Sequence, residues 1–236
     1  MSQLTIYHGS DHIIKQPELK KGKTYNDYGQ GFYCTEDLEL AKEWACKSAK
    51  EGFVNEYELD ISKLKVLNLN SNGYSILNWI ALLLQNRTFT LDNDIQRQAK
   101  DYLIKNFLID VTEYDAIIGY RADDSYFSFA ESFVSNTLPL SVLDKALRLG
   151  NLGEQIALVS SKAFKSIRFI DAQAADRKIY HPKFKARDDK AREDFKKYRN
   201  SSVHGELDLS QEIFVLDIIR QEMRNDDERI QRIVSK

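Results

Sequence analysis

Leu4-Thr5-Ile6-Tyr7-His8-Gly9-Ser10 reads as a short strand that stops at its Gly-Ser pair, and a polar stretch separates it from Gly29-Gln30-Gly31-Phe32-Tyr33-Cys34-Thr35. The reading of these two segments decides the fold, because they gather a histidine, three glycines and two tyrosines near the start of the chain. Thr35 is placed to cap a helix over Glu36 to Lys50, whose acids come first and lysines later, as the helix dipole favours. Val54 to Leu59 then alternates in the manner of a half-buried strand, and Lys65 to Leu69 reads as the next strand.

Helical patterns follow over Ser75 to Asn86 and Asp92 to Phe107. The first carries Ile76, Trp79, Ile80 and Leu83 on one stripe, which is core spacing. Tyr114 to Tyr120 is an apolar strand, and Ser141 to Leu149 is a short helix capped by Ser141. Glu154 to Val159 and Ser166 to Ile170 are two late strands. Strands first, helices between and strands again predict an α+β fold rather than a regular βαβ array.

Composition bounds the rest. The 236 residues are 42% hydrophobic, enough for one sizeable core with a smaller appendage, and the formal net charge of −2 names no partner. Three prolines and no low-complexity tract exclude a string of loosely linked modules. The N-terminus lacks the basic start and apolar run of a signal peptide, and the longest apolar run, Ile80 to Leu84, is too short to cross a bilayer. Cys34 and Cys46 are expected to be reduced, buried thiols, which suits a cytoplasmic location. No CxxC pair or HxxxH cluster offers a metal site.

Near residue 172 the composition changes. Asp176 to Arg199 holds ten Lys/Arg against five Asp/Glu, and Asp208 to Val234 reads as one amphipathic helix with Ile213, Leu216, Ile218, Ile219 and Ile230 apolar. The expected organisation is a domain over 1–172 and a helical C-terminal extension over 173–236.

The phosphate-loop glycine pattern is missing, no serine or cysteine sits in a nucleophile-elbow context, and Gly29-x-Gly31 lacks the third glycine of a dinucleotide fingerprint. Residue by residue, the reading ends at an α+β domain with a polar, aromatic N-terminal cluster.

An ordered set of motifs extends it. Tyr7-His8-Gly9-Ser10, Asp27-Tyr28-Gly29-Gln30-Gly31-Phe32-Tyr33-Cys34-Thr35 and Ala41-x-x-Trp44-Ala45 come first. Tyr57-Glu58-Leu59-Asp60, Trp79 to Arg87, Tyr114 to Gly119 and Leu152-Gly153-Glu154-Gln155-Ile156-Ala157 follow. Together they resemble a bacterial family of ADP-ribosyltransferase-like proteins related to the poly(ADP-ribose) polymerase and diphtheria-toxin branch, over roughly residues 3–172. The resemblance implies a split central sheet with flanking helices, NAD+ as substrate without a metal, and mono-ADP-ribosyl transfer to a protein or nucleic-acid acceptor. It also implies a toxin or defence role with a small neutralising protein as partner.

By that resemblance His8 bonds the adenosine ribose, Gly9 offers its backbone to the nicotinamide carboxamide, and Ser10 adds a ribose contact. Only a residue without Cβ lets the ring come that close. Alone, His8 reads equally as a satisfied histidine at a strand end. Tyr33 matches the tyrosine that stacks on nicotinamide. Trp44, eleven residues on, matches a second stacking aromatic or else packs its helix onto the sheet. Tyr28 and Phe32 are expected in the core or at the rim.

Active relatives carry a catalytic glutamate on a late strand, where its charge stabilises the oxocarbenium-like state as nicotinamide leaves. The matching residue here is Gln155, with Glu154 beside it, and strand alternation lets only one of them face the pocket. Gln155 is the expected inward residue. An amide there also fits a non-catalytic NAD+ or ADP-ribose binding module. Arg121 to Phe127 reads as a loop whose acids either position an acceptor or cap the next helix. Lys183 to Arg199, with Phe184, Phe195 and Tyr198 interleaved, reads as a solvated helix face or as a phosphate track, which would suit a nucleic-acid-associated adaptor.

Overall fold

Alternation of side chains in Gln3–Ser10 buries Ile6, leaves Thr5 exposed and half-buries Tyr7, the pattern of a strand with one face on a core. The computed structural model describes residues 3–48, 50–71, 73–122, 124–148, 154–203 and 212–234. Among them the chain forms two sheets and nine helices, an α+β protein as the sequence predicts. Two compact units are interleaved along it: residues 1–69, 110–121 and 152–187 in one, and residues 70–109, 122–151 and 188–236 in the other. The boundary expected at 172 falls inside a strand, Ile167–Ala175.

The first unit holds both sheets. One is antiparallel, with β1 (Gln3–Ser10) beside β3 (Gly52–Asp60) and β3 beside β7 (Ile167–Ala175). The other runs in the order β2 (Phe32–Cys34), β6 (Glu154–Leu158), β5 (Ala116–Tyr120), β4 (Val66–Asn68), parallel only between β4 and β5. Ile6, Phe32, Cys34, Tyr57, Leu59, Ile156 and Leu158 form a core drawn from both sheets, joined by Ala163 of α6 (Ser161–Lys165). On the other face of the first sheet, α1 (Leu38–Ala45) packs Ala41 and Ala45 against Val54 and Ala175.

Asp37, not Thr35, caps α1: its carboxylate accepts from the Glu39 and Leu40 N–H groups. Thr35 is already committed, because its backbone exchanges two hydrogen bonds with Tyr7 (2.7 and 3.0 Å). That exchange is a single bridge joining β1 to β2, and so one sheet to the other.

The second unit is helical. It contains α2 (Ile76–Asn86), α3 (Asp94–Phe107), α4 (Asp124–Val134), α5 (Leu140–Arg148), α8 (Val215–Arg220) and α9 (Glu228–Val234). Ile76 through Leu84 are all buried, so α2 is covered all round rather than along the expected stripe. α7 (Arg177–Val203) is the long helix of the basic run, with Pro182 in its second turn. The single helix expected over Asp208 to Val234 is instead two short ones, α8 and α9; residues 208–211 lie outside the described residues. The segment from Arg121 is not a loop throughout, since α4 starts at Asp124; Asp123 lies outside the described residues.

Candidate functional site

The bridge between Tyr7 and Thr35 sets the geometry of the site. Peptide groups two residues apart in a strand point to the same edge. Gly9 on β1 and Tyr33 on β2 therefore aim their N–H and C=O groups toward each other, each two residues from the bridge. The ladder does not continue there. The Tyr33 carbonyl instead accepts from Nδ1 of His8 at 2.6 Å, and among the described residues nothing meets the N–H or C=O of Gly9 on that edge. A gap lined by one open donor and one open acceptor results.

His8 itself stacks on Phe32, ring centroids 4.3 Å apart, on the core side of β1. Desolvation holds its pKa below the ordinary histidine value, the Tyr33 carbonyl pulls part of the way back, and nearby His12 adds to the lowering. A neutral imidazole that donates through Nδ1 keeps an acceptor lone pair on Nε2.

Gly9 is glycine for a reason the sequence reading did not foresee. A Cβ there would lie 2.1 Å from the Ala41 carbonyl oxygen and 2.7 Å from the Ala45 nitrogen. Gly52 on β3 meets the Ala45 carbonyl in the same way at 2.3 Å. The two glycines form the seat of α1, and this packing fixes Trp44 above Gly9. The Arg121 guanidinium lies on the Trp44 indole at 4.1 Å, and the indole Nε1 is buried with no hydrogen-bond partner among the described residues.

Opposed residues of an antiparallel pair share a face. Tyr33 pairs with Ala157, and Gln155 with Gly119, so the Tyr33 and Gln155 side chains stand on one face of the second sheet. The Tyr33 hydroxyl donates to the Gly29 carbonyl (2.6 Å) and accepts from the Tyr28 N–H (3.1 Å), which locks the ring. Tyr28 lies parallel to it, buried, with its own hydroxyl on the Tyr120 carbonyl. Tyr28 and Phe32 are core residues, as expected.

Gln155 is 3% exposed and Glu154 is exposed, so the glutamine is the buried one of the two. Its Nε2 donates to Oδ2 of Asp27 at 2.8 Å and to the Tyr120 carbonyl at 3.0 Å. Asp27, itself 5% exposed, is a buried carboxylate that sequence reasoning quoted in a motif but gave no role. A glycine-flanked turn hides it from any periodicity argument.

Ser10 serves the turn that follows β1. Its hydroxyl donates to the His12 carbonyl (2.6 Å) and accepts from Nδ2 of Asn55 (3.0 Å). Asn55, fully buried, also accepts from the Ile14 N–H at 2.7 Å and so ties residues 10–14 to β3. Its position in an alternating strand pattern concealed this work.

Part of the basic run of α7 is engaged in ion pairs. Arg187 clamps the buried Glu43 with two bonds of 2.8 Å, Lys183 binds Glu39 at 2.9 Å, and Arg192 binds Asp188 at 2.9 Å. Lys183 and Lys42 hold the Glu39 carboxyl down at about 2. Phe195 is buried and stacked on Phe129 at 3.9 Å, so it is no base platform; the Tyr198 side chain lies outside the described residues. Among the described residues no group of three or more His, Cys, Asp or Glu is placed for a metal ion, and no helix is long and apolar enough to cross a membrane. Cys34 and Cys46 are buried, unpaired in disulfides, and burial raises the pKa of both thiols.

Taken together, fold and site define an α+β protein whose two sheets meet at one bridge beside a gap lined with backbone and aromatic groups. The chain belongs to the family described as protein of unknown function (DUF3990), whose model matches residues 4–169. No curated protein and no solved structure matches it.

Proposed function

We propose that this chain is an NAD+-dependent mono-ADP-ribosyltransferase whose substrate lies in the gap between β1 and β2. One observation carries the reading: the ladder breaks at Gly9, leaving an N–H and a C=O side by side next to the locked ring of Tyr33. A primary carboxamide on a flat aromatic ring, which is nicotinamide, is the complement of that pair. Oε1 of Gln155 is an acceptor suited to a ribose hydroxyl, whereas the His8 ring, stacked on Phe32, lies on the opposite face of the strands from Tyr33 and Gln155.

The chemistry follows from those roles. The glycosidic bond between ribose C1′ and the nicotinamide nitrogen breaks, and its electron pair leaves with neutral nicotinamide. Positive charge then develops on the ribose, and an acceptor nucleophile forms the new bond to C1′ and loses its proton to solvent. Acceptors bonded to the 2′-hydroxyl stabilise that state.

The test is incubation with labelled NAD+ and separate pools of protein, RNA and DNA, with nicotinamide release measured alongside. Label in one pool with matching release is the expected result. A second reading, a non-catalytic NAD+ or ADP-ribose binding module, is favoured by the amide at position 155. Its signature is binding by calorimetry with no release. Absence of both binding and release overturns both readings.

A further inference from the structure

Two buried side chains meet behind the gap, and their chemistry is matched. Gln155 gives one amide hydrogen to Asp27 and the other to the Tyr120 carbonyl. Both partners are acceptors, so only one orientation of the amide satisfies them. Oε1 is thereby turned the other way, and it accepts from no described residue. Donation to a carboxylate polarises an amide and places more negative charge on its oxygen. A glutamate in place of Gln155 would set two buried carboxylates side by side, and such a pair retains a proton rather than holding two charges.

We infer that Asp27 is a positioning residue for ADP-ribosyl transfer: it fixes Gln155 with Oε1 toward the ribose 2′-hydroxyl and supplies, through that amide, the negative charge a catalytic glutamate would carry. The inference rests on the proposed transferase reading and names the source of charge that reading lacks. Asp27 does not touch the substrate. It acts through Gln155, and a change at position 27 therefore falls on turnover more than on NAD+ affinity.

The experiment compares the parent with Asp27→Asn, Gln155→Glu and the double variant Asp27→Asn/Gln155→Glu. It reads kcat and KM for nicotinamide release together with the thermal midpoint of each. Asp27→Asn is expected to lower kcat on the order of a hundredfold, the cost of a misoriented catalytic group, with KM for NAD+ within about threefold of the parent. Gln155→Glu alone is expected to be impaired, because its carboxyl shares a proton with Asp27. The double variant restores a donor facing an acceptor at position 27 with the polarity reversed, leaves the Tyr120 carbonyl without its amide donor, and recovers kcat to at least about a tenth of the parent. Parental kcat in Asp27→Asn, or a double variant no more active than Gln155→Glu, overturns the inference while the transferase reading stands. A parent that neither binds NAD+ nor releases nicotinamide overturns both.

Discussion

Nδ1 of His8 holds the carbonyl oxygen of Tyr33 at 2.6 Å, the oxygen that a continued ladder would give to the N–H of Gly9. The imidazole thus replaces one rung of an antiparallel pair and keeps β1 and β2 apart just beyond their bridge. A side chain without a donor at this point would let the strands close. The histidine is the reason this gap stays open beyond the bridge.

This contact makes a pH prediction. The folded pKa of His8 lies below its ordinary value of 6.5. Between the two values the unfolded chain binds more protons, so stability falls as pH drops below 6.5 and the loss is complete once pH is below the folded pKa. His8→Gln keeps a donor for Tyr33 and does not titrate. The thermal midpoint of the parent, relative to His8→Gln, is expected to be constant above pH 7 and to decline below 6.5. A relative midpoint that rises on acidification would show the imidazole to be stabilised as a cation.

Gly9 and Gly52 make a second prediction about the seat of α1. A methyl at either meets helix backbone closer than 2.5 Å, and backbone cannot rotate away. Gly9→Ala and Gly52→Ala are each expected to destabilise by roughly 3 kcal/mol, the scale of a forced overpacking. Urea unfolding of the full chain checks it, and parental midpoints for both variants would place α1 elsewhere.

Much of this architecture was legible in sequence, and the exceptions share a physical cause. Period-two alternation announced β3, an apolar run announced β5, and the apolar positions from Ile76 to Leu83 announced α2. Tyr33, Gly9 and Gln155 were singled out through ordered motifs. What stayed hidden depends on contacts between distant segments: the Asp27–Gln155 bond spans 128 positions and the Glu43–Arg187 clamp 144. Gly9 was read as a glycine that lets a ring come close, whereas its missing Cβ is explained by α1. Composition marked a change near 172, yet β7 runs on to Ala175 because Ala172, Gln173, Ala174 and Ala175 still have partners on β3.

Tyr33 separates ring from hydroxyl. Tyr33→Phe keeps the aromatic face and loses the bonds to Gly29 and Tyr28, a stability cost of about 1 kcal/mol with NAD+ affinity near that of the parent. Tyr33→Ala removes the platform and is expected to weaken NAD+ binding by roughly 1–3 kcal/mol. Calorimetry on the two folded variants decides between them. Equal affinity in Tyr33→Ala and the parent would remove Tyr33 from the site.

Glu43 and Arg187 test what the basic run of α7 is for. Glu43 is 2% exposed on α1, two residues from both Ala41 and Ala45 and so off the face they carry into the core, and both its oxygens are bonded by one guanidinium. Bidentate geometry and burial set this pair apart from the exposed pair of Lys183 and Glu39, which solvent screens. Removing one member of a buried pair strands the other without water or counter-charge. Arg187→Ala is therefore expected to cost roughly 3 kcal/mol, and Lys183→Ala to leave the unfolding midpoint near that of the parent. Glu43→Gln/Arg187→Met, which removes both charges at similar volume, should recover most of the loss. Denaturant unfolding of the four proteins in low and high salt is the measurement. If Lys183→Ala proves as costly as Arg187→Ala, or the Arg187→Ala loss disappears in high salt, the clamp is a screened surface contact and α7 is held by its apolar residues alone.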